Sequence, residues 1–125
     1  MILYLDTSSL VKLYVDEVFS DLVKGWVAEA ESVATCRVAY PETLSAFNRR
    51  LRCGDLSDKD YGRLVKSFSN EWEAFVSVDF DELDAGRLVA KHGLRGFDAI
   101  HLSAAGIVRS AREGVAIVFP PSTKN

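Results

Sequence analysis

Only two cysteines, Cys36 and Cys53, occur in 125 residues. With no further ligands clustered around them they exclude a disulfide framework or a cysteine-bound zinc centre, and each reads as a small buried hydrophobe. Long hydrophobic runs are missing as well. No stretch approaches the ~20 apolar residues that a membrane-spanning helix needs, so no membrane association is expected. The chain opens without a basic segment, an apolar core segment and a small-residue cleavage site, which makes the cytoplasm the expected compartment. Positive charge is not in excess either: 15 Lys and Arg stand against 18 Asp and Glu, a formal charge of −3. That balance excludes a protein that coats nucleic acid by bulk charge and confines any such contact to a local basic stripe. Internal repeats, low-complexity blocks and domain linkers are also absent.

What is present is the composition of a packed domain, 48% hydrophobic and 26% charged, with a length that suits one domain over 1–125. Residues 2–5 (ILYL) are apolar without alternation, as in a strand buried on both faces. Phe19, Leu22, Val23, Trp26, Val27 and Ala30 recur at helical spacing and predict a helix near 19–31. SVATC (32–36) reads as a strand, and Pro41 as the first position of a helix carrying Tyr40, Leu44, Phe47 and Leu51 on one side. Gly54 ends that helix, and Ser57 with Asp60 resembles a capping box before a stripe of Tyr61, Leu64, Val65, Phe68 and Trp72. FVSV (75–78) predicts a strand, 82–92 a helix stopped by Gly93, and 97–112 a helix apolar almost all round and so buried on several sides. VAIVF (115–119) is a last strand before PPSTKN. Strands alternating with amphipathic helices give an α/β fold with a parallel sheet covered on both faces.

Three carboxylates stand out. Ligands of open parallel sheets bind at the carboxyl ends of strands, and Asp6 interrupts LYLDTSSLVKLY at such an end. Its plain explanation is an N-cap for a short helix starting around Ser8, yet Thr7, Ser8 and Ser9 could cap without it. Glu42 lies in the first turn of the Pro41 helix, where the helix dipole alone favours it, and with Ser45 and Arg49 it forms one polar ridge. Asp98 opens the most apolar helix, which would carry it toward the interior; N-capping is the alternative. Carboxylates that meet without a basic partner are commonly compensated by a divalent cation bound through oxygen.

DTSSLVKLY at 6–14, PE at 41–42 and RGFDAIHLSAA at 95–105 resemble, in order and spacing, the leading motifs of PIN domains, particularly VapC-type toxins. The resemblance spans nearly the whole chain. It implies a three-layer α/β/α fold with a central parallel sheet of four to five short strands. It also implies a metal-dependent endoribonuclease acting on RNA, a VapB-type antitoxin that neutralises it, and a homodimer. Asp6, Glu42 and Asp98 match three of the family's four acidic metal ligands, expected to hold Mg2+, with Mn2+ able to substitute. Thr7 or Ser8 matches the hydroxyl that supports the first acid. The family's fourth acid follows the last strand, where this chain reads VFPPSTKN; no Asp or Glu occurs after Glu113, leaving an atypical tail at about 120–125. A three-acid site, an altered chain end and a protein that binds antitoxin without efficient cleavage all remain open, as does a PIN nuclease outside a toxin–antitoxin pair.

Asp79 and Asp81 are expected to solvate a loop and cap the 82–92 helix rather than replace that acid. His101, three residues after Asp98, is expected to pack and make a structural hydrogen bond, and His92 to be structural. Lys12, Arg49 and Arg50 are the expected RNA-phosphate contacts, Arg49 foremost because it shares the Glu42 ridge. Trp26, Phe68 and Trp72 belong to core stripes, and Leu10, Val11, Leu13 and Tyr14 to a short apolar surface near the site.

Overall fold

The computed structural model describes residues 1–111 and 114–118. Four short strands, β1 (Ile2–Leu5), β2 (Ser32–Cys36), β3 (Val76–Val78) and β4 (Val115–Val118), form one sheet in the order β3-β2-β1-β4, and every pairing is parallel. Parallel neighbours require crossovers. These are α1 (Thr7–Tyr14) and α2 (Ser20–Glu29) after β1, α3 (Ala39–Arg52) and α4 (Asp58–Glu71) after β2, and α5 (Glu82–His92) and α6 (Gly96–Ala111) after β3.

The unbroken apolar run of β1 is buried at every position, and alternate residues feed opposite layers. Ile2 and Tyr4 pack with Ala34 and Cys36 against Ala104, Ala105 and Val108 of α6. Leu3 and Leu5 pack with Val33 against Leu10 of α1 and Val23 of α2. Helices thus cover both faces, giving the expected three layers with β1 inside the sheet and β3 at an edge. A third cluster, of Val11, Val15, Phe47 and Phe68, joins α1 to α3 and α4. Gly54 and Gly93 adopt φ of +82° and +64°, the left-handed conformation that ends α3 and α5 at little cost for glycine. Among the described residues no helix is long and apolar enough to cross a membrane.

Several expectations need correction. Helix α3 begins two residues before Pro41, which therefore occupies the third position, still within the turn whose amides have no intrahelical acceptor. Helix α6 is not buried all round: Phe97 and Ile107 are 56% and 41% exposed, because the sheet and α5 cover only part of its circumference. Leu10 and Val11 are buried, with Leu13 and Tyr14 packed on the core, so they form no apolar surface. Cys36 is buried as expected, whereas Cys53 is exposed because it caps the end of α3. The tail at 120–125 lies outside the described residues.

Candidate active site

The chain builds outward from β1 through β2 to β3, then returns to lay β4 on the other side of β1. That reversal opens a crevice at the carboxyl ends of the inner strands. Asp6 is the first residue past β1, and Thr35 fixes the strand end by donating its buried hydroxyl to the Leu5 carbonyl at 2.7 Å. Glu42 enters from α3 and Asp98 from the first turn of α6. All three acids line one cleft of about 880 Å3, together with Lys12, Arg49 and Arg50.

Asp6 does two jobs with two oxygens. Its Oδ1 accepts the Ser9 amide at 2.9 Å and the Ser9 hydroxyl at 2.6 Å, with the Ser8 hydroxyl at 3.1 Å. The N-cap explanation therefore holds, worth about 1 kcal/mol to α1. The hydrogen bonds to Asp6 among the described residues all go to Oδ1, so capping leaves Oδ2 as an open acceptor on a residue that lines the cleft. Of the two hydroxyls singled out in the sequence, Ser8 is the one that bonds Asp6, and the buried Ser9 beside it is a further partner that sequence reasoning missed.

Thr7 serves the second acid instead. Its hydroxyl donates to Glu42 Oε1 at 2.5 Å and lies 2.9 Å from His101 Nε2. His101 is buried, as expected, with Nε2 also 3.2 Å from Glu42 Oε1 and Nδ1 2.8 Å from the Tyr4 hydroxyl. A carboxylate only accepts, so Thr7 must donate to it and accept from His101. His101 in its Nε2–H tautomer then accepts the Tyr4 proton at Nδ1, and every donation in the series runs toward Glu42. Burial, and after it the neighbouring Cys36, Asp6 and Glu42, hold the Tyr4 phenol well above its ordinary value, which keeps that donor protonated. His101 was legible as a hydrogen-bonding residue, but its reach to Glu42 across 59 positions had no sequence signal.

Asp98 lines the cleft but is exposed, contrary to the expectation that its helix would carry it inward. It stands in the first turn of α6, before the buried face begins at Ala99. Asp79 pairs with Arg37, and Asp81 caps α5 by accepting the Leu83 and Asp84 amides; neither lines the cleft. His92 is exposed in the last turn of α5.

The basic side of the cleft is more constrained than the sequence suggests. Lys12 is only 4% exposed and pairs with Glu17 at 3.0 Å, and Arg50 pairs closely with the other oxygen of the same carboxylate. Arg49 is exposed, with Ser45 at 3.5 Å and no carboxylate partner among the described residues.

The acid side fits a hard divalent cation in donor chemistry. Asp6, Glu42 and Asp98 offer only oxygen, and none pairs with Lys or Arg among the described residues. They share a cleft rather than a closed cage: among the described residues no three His, Cys, Asp or Glu side chains already stand as a ligand group.

A family model described as PIN domain matches residues 3–118. Two relatives are 32% identical over 107 residues, which is 83% of this chain and 74% of theirs. They are "Ribonuclease VapC45" of Mycobacterium tuberculosis strain CDC 1551 / Oshkosh and "Ribonuclease VapC49" of strain ATCC 25618 / H37Rv.

Proposed function

The chain belongs to the PIN-domain family, and from that premise we propose that it is a VapC-type toxin: one PIN domain that hydrolyses RNA phosphodiester bonds with a divalent cation and is neutralised by a VapB-type antitoxin. The observation that carries this reading is the convergence of Asp6, Glu42 and Asp98, from three separate elements, on one cleft that also holds Lys12, Arg49 and Arg50. Acidic and basic side chains lining one groove suit a substrate whose scissile phosphate needs a cation and whose flanking phosphates need Lys or Arg. The names of the two relatives support RNA as the substrate.

Asp6 Oδ2, Glu42 and Asp98 would hold Mg2+ or Mn2+, which supplies Lewis acidity for phosphodiester hydrolysis. Asp6 is fixed by Ser8 and Ser9, and Glu42 by Thr7 and His101, so two acids are oriented before any ligand arrives. Asp98, exposed on the same cleft, would supply the third carboxylate. Arg49 contacts RNA phosphate directly, and Arg50 through whatever donors Glu17 leaves it. A homodimer is part of the same reading.

Purified protein incubated with RNA and Mn2+ tests the proposal, with Asp6→Asn as control. Cleavage by the wild type that the variant lacks supports it. Equal cleavage by both assigns the activity to contamination. No cleavage alongside tight antitoxin binding favours a PIN-fold protein that retains its partner without catalysis.

A further inference from the structure

Glu17 is the residue to which two basic side chains of the cleft, Lys12 and Arg50, are tied. One carboxylate oxygen takes the Lys12 ammonium at 3.0 Å, and the other takes the Arg50 guanidinium. All three side chains line the cleft that holds the acids. The trio carries two positive charges and one negative, so half of its capacity to attract a polyanion is cancelled from within.

The segment that carries Glu17 is firmly built. Its amide donates to the Ser20 hydroxyl at 2.9 Å, that hydroxyl donates to the Val15 carbonyl at 3.0 Å, and the Ser20 amide returns to the Glu17 carbonyl at 3.0 Å. Ser20 is buried, so these bonds are shielded from water. Phe19 completes the turn at φ +71°, a conformation unfavourable for an aromatic residue and sustained only where the surroundings over-determine it. A carboxylate on such a segment does not drift away when an anion approaches.

We propose that Glu17 is an affinity-setting residue for RNA: it holds Lys12 and Arg50 as an internal counter-ion, restrains the attraction of the cleft for phosphate, and leaves Arg49 and the open side of Arg50 to meet the substrate. Arg50 is the group at stake, because its side chain is 32% exposed while that of Lys12 is nearly enclosed at 6%. The effect of Glu17 is to keep binding dependent on the acid side, so that RNA is retained only where that side can also engage it.

The inference rests on the ribonuclease reading, and one experiment separates the two. A short fluorescein-labelled oligouridylate is titrated with protein in calcium, across a series of salt concentrations, with its integrity checked on a gel afterwards. Glu17→Gln removes the internal counter-ion. It is expected to tighten binding about threefold to tenfold near physiological salt and to steepen the slope of log affinity against log salt by about 0.7, one single-strand phosphate contact. Adding Arg50→Met to Glu17→Gln is expected to erase most of that gain, while Arg50→Met alone weakens binding only slightly. If thermal unfolding shows that Glu17→Gln is not folded, Glu17→Asp decides, since it keeps charge beside Lys12 but is one methylene too short to bridge both cations; about twofold tightening is expected. Wild type that binds RNA, with affinity and salt slope unchanged or weakened in the folded Glu17 variant, overturns the inference alone. Wild type that binds no RNA at any salt overturns the inference together with the ribonuclease reading.

Discussion

Thr7 and Glu42, 35 positions apart, are joined by a hydroxyl-to-carboxylate hydrogen bond of 2.5 Å. The bond connects the strand-end motif to the α3 motif directly and makes the orientation of the second acid depend on the residue beside the first. Thr7→Val should remove it while leaving the fold nearly intact, at a stability cost of about 1 kcal/mol. RNA cleavage should fall about tenfold, the scale at which loss of a supporting partner disturbs a metal site. Thr7→Ser, which restores the hydroxyl, should recover most of the rate. Cleavage kinetics beside thermal unfolding of the three proteins check this.

The two roles of Asp6 are separable. Its Oδ1 caps α1 through the Ser9 amide, and an asparagine oxygen can do the same. Asp6→Asn should therefore unfold within about 1 kcal/mol of wild type, whereas Asp6→Ala should lose about 1–2 kcal/mol with the cap. Both should lose RNA cleavage. Denaturant unfolding distinguishes the pair; an Asn variant as unstable as the Ala variant would show that charge, not capping, is what α1 requires.

Tyr4 gives the protein an alkaline limit. Burial, with the negative neighbours behind it, raises its phenol above the ordinary 10.0, so the folded state keeps a proton that the unfolded chain releases. The contribution is therefore intact below about pH 10 and is lost as pH rises beyond it, at about 1.4 kcal/mol per pH unit. Tyr14, raised by burial and by its bond to Glu71, adds to the same trend. Unfolding measured at increasing alkalinity should show a shallower decline for Tyr4→Phe than for wild type.

Phe68 is completely buried and touches Tyr14, Tyr40, Phe47 and Trp72 by ring contacts. It ties α4 to α1 and α3, and through α3 to Glu42. Phe68→Ala should cost about 3–5 kcal/mol in chemical denaturation. If the loss were below about 1 kcal/mol, α4 would not support the layer that carries the second acid.

The fold was legible because its signals are local. ILYL has no alternation and is buried on both faces; SVATC and the Gly54 and Gly93 stops fall where their chemistry requires. The three acids were legible for the same reason, since each marks a strand end or a helix start. What was hidden is side-chain pairing at long range. Thr7 supports Glu42 rather than Asp6 because α3 packs against α1, and no spacing within DTSSLVKLY records that. Ser9 hides among three hydroxyls, and only the helical turn decides that it faces Asp6. Glu17 looks like an ordinary loop acid until α3 brings Arg50 to it. The interior position expected for Asp98 failed because apolar composition does not say where along a helix burial begins.

Asp6, Glu42 and Asp98 form the proposed divalent-cation site. Calorimetric titration of Mn2+ into wild type and into Asp6→Asn, Glu42→Gln and Asp98→Asn tests it most directly. Saturable binding by the wild type and at least about tenfold weaker binding in each variant are expected, in line with the loss of one charged oxygen ligand. Equal affinity in all four proteins, or no binding by the folded wild type, would contradict it.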